Sequence, residues 1–243
     1  MITDICRTYK KILFRHGDHV ARFMRDCARC FIPLPLGQSA LIHLGQEAVQ
    51  RHLGPGEVLL NMLATPQTLI VRTLPLDEAR YRSLRDNGAQ LWPTPPHPSS
   101  AILPPAVKHR NRLHWHIAQH QAPPGTLPLT TDAAGHLLET AIGNLLLVRE
   151  GVVWAARPGS VLDSISQRVV RELCDAAGIP WNEGDRTPDA EEALLCGTGF
   201  GVVGVSSIGF HRYAWPGPIT RQLQAAWAVQ TGEAIPEGEL PNG

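Results

Sequence analysis

The chain is poor in lysine: of its 22 Lys and Arg residues, only Lys10, Lys11 and Lys108 are lysines. Chemistry that needs a primary amine therefore has few positions to occupy. Net charge is absent as well, because 22 acidic residues balance the basic ones. Nucleic acid and anionic membranes are held mainly by excess positive charge, so neither is an expected partner. No stretch approaches the roughly 18 apolar residues of a membrane span, and Met1 to Arg7 carries neither a basic leader nor a long apolar run. The expectation is a cytoplasmic protein. Its five cysteines (6, 27, 30, 174 and 196) are an odd number, which favours reduced thiols over a disulfide framework.

What the chain does have is enough length, 243 residues with 43% hydrophobic content, to build one or two domains around a real core. Val20, Phe23, Met24, Cys27 and Phe31 recur at helical spacing and predict a helix over 18–31, and Ser39 is a suitable N-cap for a second helix reaching about His52. Strands are expected at 58–64 and 68–74, with a helix over 77–86. Six prolines crowd residues 92–105. They stiffen the chain and deny it ladder donors, which places a linker there between a small domain over 1–91 and a larger one over 106–243. Beyond it the pattern predicts a helix over 107–121, strands at 127–131, 136–140, 144–148 and 152–155, and a helix over 166–177. Short strands around the turn Gly197–Gly201 and a last helix over 218–230 follow, and the acidic tail is expected to fray.

Several motifs are weak alone. Cys27-Ala28-Arg29-Cys30 has the spacing of a metal or redox pair, but a zinc site needs two further ligands, with only His16 and His19 nearby in sequence. His109, His114, His116 and His120 cluster without an implied third ligand, so no metal is expected. Gly197-Thr198-Gly199-Phe200-Gly201 can be an ordinary chain reversal or an anion cradle. Lys108, at the end of the Pro-rich stretch, can be a snorkelling side chain or an amine able to form a Schiff base.

The surroundings of Lys108 carry more. Pro105 to Leu113, with Lys108-His109 and Asn111-Arg112-Leu113, resembles the cofactor-lysine segment of the class IV aminotransferases. This family includes branched-chain and D-amino-acid transaminases and aminodeoxychorismate lyase. Asp132 to Glu139 followed by Asn144-Leu145 resembles the family's strand–turn–strand that delivers a glutamate, and Ser164-Ile165-Ser166 is similar to its Gly-Ile-Thr helix start. Gly197-Thr198 ahead of Val202–Val205 is similar to its Gly-Thr turn. Cys6-Arg7-Thr8-Tyr9, then Phe14-Arg15-His16 and His19 to Phe23, resembles its arginine strand and the following helix.

The resemblance implies a two-domain α/β fold, pyridoxal 5'-phosphate as cofactor, a homodimer, and an amino acid and a 2-oxo acid as substrates. It implies that Lys108 forms the Schiff base and moves the proton, while Glu139 sits at the pyridine nitrogen. Arg7, the Ile165 and Ser166 N–H groups and the Ser166 and Thr198 hydroxyls hold the phosphate, with Gly199 facing a substrate carboxylate. Family members begin some tens of residues before the arginine strand, so a truncated or reduced small domain is also expected. Three activities stay open: transamination, pyruvate elimination of the aminodeoxychorismate lyase type (suggested by Lys-His-x-Asn-Arg-Leu), and a non-catalytic homologue.

Overall fold

Strand β1 spans Ile2–Tyr9, and every residue in it but Ile5 is buried. A tight turn leads to β2 (Ile12–Leu13), and two helices follow, α1 (His16–Arg29) and α2 (Gln38–Gln50), before β3 (Val58–Ala64) and β4 (Leu69–Pro75). The sheet is antiparallel in the order β2-β1-β3-β4. Val20, Phe23 and Cys27 form the buried stripe of α1 against β1, and α2 covers β3 and β4. Helix α1 starts earlier than its apolar period suggests, because Arg15 takes a left-handed conformation (φ 53°) and its carbonyl accepts from the Asp18 and His19 N–H groups. Helix α2 is capped by Gly37 rather than Ser39, with the Leu41 N–H on the Gly37 carbonyl.

These elements come from a computed structural model that describes residues 1–95 and 103–233. The chain is of the α/β class and divides into two units, one of Met1–Asp77 with Val107–Arg112 and one of Glu78–Ala106 with Leu113–Gly243. This division differs from the expected boundaries in two ways. Residues 107–112 form no helix, and they join the first unit. There Thr3 N–H donates to Lys108 O (3.1 Å), Arg110 N–H donates to Met1 O (3.1 Å), and His109 bridges Ile2. Lys108 thus lies in the N-terminal unit, not in the larger C-terminal one.

The second difference is at the start of the larger unit, which takes in α3 (Glu78–Asn87) and β5 (Ala89–Thr94). β5 lies between two parallel neighbours despite Pro93, because one neighbour's ladder stops at Leu91; at Pro93 only the other side is paired, opposite Leu129. Of the expected linker over 92–105, residues 92–94 are therefore strand, and 96–102 lie outside the described residues, as does the tail from residue 234.

The larger unit continues through α4 (Leu113–Gln121), β6 (Leu127–Thr131), β7 (Leu137–Thr140), β8 (Asn144–Arg149), β9 (Val152–Ala155), α5 (Ile165–Ala177), β10 (Trp181–Glu183), β11 (Glu192–Gly197), β12 (Gly201–Ile208), β13 (His211–Arg212) and α6 (Pro218–Thr231). Its sheet runs β10-β9-β8-β11-β12-β5-β6-β7, with β13 on β12, and β7 pairs again with β8, so the path closes on itself. β8 and β11 read as continuous apolar runs because both faces are covered. Leu145, Leu147, Ala193 and Leu195 enter a core with Leu91, Leu129, Phe200 and Val205, while Leu146, Leu194 and Cys196 are equally buried. Helix α5 has a Ser164 N-cap accepting from Gln167 N–H and ends on left-handed Gly178. Helix α6 is capped by a distant side chain: buried Glu192 accepts from the Ile219 and Thr220 N–H groups (3.0 and 2.9 Å) and the Thr220 hydroxyl. Gly217 is required at this cap, since a Cβ there would fall 2.0 Å from the Glu192 carboxyl carbon. Among the described residues no helix is long and apolar enough to cross a membrane.

Candidate active site

In the first unit the backbone of Lys108 is held on both sides. Its N–H donates to the Asp26 carboxylate (2.9 Å), and its carbonyl accepts from Thr3 on the edge of β1. Asp26 is fully buried on α1 and also accepts from Arg25 Nε (3.0 Å). A second buried carboxylate, Asp4 of β1, accepts from Arg22 Nε (2.7 Å) and Arg22 Nη2 (2.9 Å) and pairs with His19 Nδ1 (2.7 Å). Burial alone would raise the Asp4 pKa, but the Arg22 and His19 charges and hydrogen bonds overcome it and hold the carboxyl well below the usual range. Burial pushes His19 down despite Asp4, and the nearby Arg22 and Lys108 charges push the same way. Arg7 is buried on β1, with Nε on the Thr8 carbonyl (3.2 Å) and its guanidinium 3.9 Å from the centroid of the Tyr9 ring.

In the second unit Asn144 links the strand of Glu139 to the segment that precedes Ile165 and Ser166 and to the strand ahead of Thr198. As the first residue of β8 it is paired with Glu139 of β7 on one side and Cys196 of β11 on the other, next to the turn that carries Thr198. Its side-chain amide donates to Leu162 O (3.2 Å), while the Leu162 N–H donates to Glu139 Oε1 (3.2 Å). The segment leading into α5 is thus tied to the carboxylate that it accompanies. Ile165 and Ser166 open α5, where first-turn N–H groups have no partner within the helix and favour an anion; both residues are buried. Gly199 is also buried, and its lack of a side chain is demanded by packing, since a Cβ would lie 2.4 Å from the Tyr81 ring.

Arg186 is a residue that sequence reasoning missed. It is the largest side chain among the fully buried ones, and its guanidinium donates to the carbonyls of Leu137 (2.9 Å), Leu138 and Leu145. Burial lowers its pKa to about 10, opposed by the charge of Glu139. A lone Arg in an aperiodic stretch reads as a surface residue, so no local signal points to it.

Within the second unit alone, a carboxylate bound to the segment entering α5 and a helix start with the Ser166 hydroxyl suit a ligand that carries both a basic nitrogen and an anionic group. A metal is less well served. The one His/Cys/carboxylate cluster with ligand spacing among the described residues is Asp132, His136 and Asp185, which includes neither Cys27 nor Cys30. There Asp185 is already engaged by Arg157 (2.7 and 2.6 Å).

The family model for class IV amino-transferases matches residues 1–208. Among solved structures, the branched-chain aminotransferase of Thermoproteus uzoniensis with norvaline superposes with a TM-score of 0.85 at 20% identity, covering 99% of this chain and 88% of that one. An aminotransferase from Brucella abortus bound to pyridoxal phosphate gives 0.81 at 18% identity, with 95% and 89% covered. A candidate 4-amino-4-deoxychorismate lyase from Legionella pneumophila gives 0.81 at 18%, with 95% and 90% covered. At such identities the likeness shows the fold. No curated protein matches the chain in sequence.

Proposed function

The chain belongs to the class IV aminotransferase family, and we propose that within it the protein is a pyridoxal-phosphate-dependent transaminase that moves an amino group between an amino acid, of the branched-chain or D-amino-acid kind, and a 2-oxo acid. The observation that carries this reading is the Asn144 junction, which ties Glu139 to the segment entering α5. A carboxylate bonded to the segment entering a helix-start anion site is what a ring with a basic nitrogen and a phosphate arm requires.

When bound, pyridoxal phosphate supplies an electron sink for the negative charge that develops at the amino acid's Cα. Lys108, the lysine outside the Lys10-Lys11 pair, provides the amine that takes up and returns the Cα proton. Its backbone bonds to Asp26 and Thr3 limit where that amine can reach. Glu139 holds a proton at the ring nitrogen. The Ile165 and Ser166 N–H groups, the Ser166 and Thr198 hydroxyls and the Arg7 guanidinium bind the phosphate as a charged, directional cup. Gly199 is assigned to the substrate side.

Pyruvate elimination is the second reading, favoured by Lys108-His109 with Asn111-Arg112-Leu113. A transaminase turns over only when a 2-oxo acid acceptor is present, whereas an elimination enzyme releases pyruvate without one. The test of the lysine is the visible absorption of added pyridoxal phosphate in wild type and Lys108→Ala. The wild type is expected to shift the cofactor's band on binding and the variant to leave it as in free solution. Identical spectra for the two proteins would overturn the assignment, and an unaltered band in the wild type would point to a non-catalytic homologue.

A further inference from the structure

Arg186 is more deeply buried than Arg7, Ile165 or Ser166, and its bonding is incomplete. Its relative exposure is 1%, and Nε has no hydrogen-bond partner among the described residues. Removing a guanidinium from water is expensive, and removing one partner of a buried charged contact leaves the other unsatisfied; here three backbone carbonyls would lose their donor.

What distinguishes its position is where the donors go. The Leu137 and Leu138 carbonyls belong to the two residues immediately before Glu139, and the Leu145 carbonyl lies on β8, one residue after Asn144, the cross-strand partner of Glu139. The Leu137 N–H in turn donates to the Arg186 carbonyl (2.8 Å). One side chain therefore spans both strands of the hairpin beside the carboxylate, while the carboxylate oxygen is fixed from the other direction by the Leu162 N–H.

We propose that Arg186 is a positioning residue for Glu139: its planar fork fixes the β7–β8 hairpin so that the carboxylate is presented at one depth and angle to the ring nitrogen. The role passes entirely through Glu139, and it rests on the pyridoxal-phosphate reading above. A lysine cannot reproduce it fully, since an ammonium offers a point charge without the fork that reaches three carbonyls on two strands.

The test is a double-mutant cycle on the cofactor-loaded protein with Arg186→Met, Arg186→Lys and Glu139→Gln, combined with a thermal melt of each variant and the pH dependence of the bound cofactor's visible spectrum. Arg186→Met should lower turnover by about 10²-fold, the scale of a small misplacement of a reacting group, and should displace the spectral pH profile while the melt shows a folded protein. Arg186→Lys should recover part of the loss. In the Glu139→Gln background neither Arg186 substitution should lower turnover further or move the spectrum. Losses that multiply across the cycle, or an unmoved pH profile in both Arg186 variants, would overturn the proposal. Should Arg186→Met fail to fold, the Arg186→Lys arm of the cycle decides the question alone. If Glu139→Gln itself changes neither turnover nor spectrum, the fault lies with the assignment of Glu139, and if wild type does not bind the cofactor, with the functional reading.

Discussion

In the first unit the buried carboxylates Asp4 and Asp26 are met by arginine side chains; in the second, the buried Arg186 and Glu192 are met mainly by backbone groups. Asp4 is compensated by the charge of Arg22 and a hydrogen bond to His19, whereas Arg186 is compensated by the dipoles of Leu137, Leu138 and Leu145. The difference is in what each charge holds in place. A carboxylate paired with side chains fixes a helix against a strand, here α1 against β1. A guanidinium spread over carbonyls fixes the path of the chain itself, here the hairpin ending at Glu139. Asp26 does some of both, since it takes its bonds from Arg25 and from the backbone of Lys108.

The sharpest way to break this contrast is Asp4→Asn. The substitution leaves Arg22 buried without a counter-charge, and losing one partner of a buried pair costs about 3–5 kcal/mol. Urea unfolding should show that loss, and hydrogen exchange should place it in residues 1–77 and 107–112. A loss below 1 kcal/mol would mean that the network is not the support of the first unit.

Next in size is a pH effect confined to the same unit. Both ring nitrogens of buried His16 lack a hydrogen-bond partner among the described residues, and burial with the neighbouring His19 lowers its pKa from 6.5 to about 4. Above pH 6.5 His16 is neutral in both states and its contribution is fully present. As pH falls toward 4 the unfolded chain takes up a proton that the folded one refuses, so stability declines across that window, by about 2–3 kcal/mol. His16→Leu should flatten the slope of unfolding free energy between pH 4 and 6.5. An unchanged slope would assign it to other groups.

The smallest effect is expected in the second unit. Glu192→Ala removes the carboxylate that caps α6 and costs about 2 kcal/mol. Exchange should rise at the start of α6 and on β11 while the first unit keeps its protection. Equal losses in both units would erase the distinction between them.

Much of this fold is legible in the residues. Strands β3, β6 and β9 occupy the ranges that their apolar runs predict, and α5 and α6 start within a residue of their expected positions. The failures share a cause. Residues 107–112 carry a pattern compatible with a helix, but the edge of β1 and the Asp26 carboxylate offer their backbone groups better partners. The proline of β5 argues against an interior strand until the neighbouring ladder is seen to end at Leu91. Asp4, Asp26, Arg186 and Glu192 read as surface residues because a charge in a sequence says nothing of the partners that would make its burial tolerable.

Read without the structure, the residues make Lys108 stand out by the scarcity of amines alone, while the α/β class and the order of the motifs from Arg7 to Thr198 rest on the family resemblance those motifs carry. Three features appear only in the folded chain: Lys108 within the N-terminal unit, Asn144 joining three strands to the segment entering α5, and a buried arginine bonded to the hairpin that carries Glu139. Each of those depends on hydrogen-bond partners tens of residues apart, whose pairing is settled by which backbone groups the folded chain leaves without water.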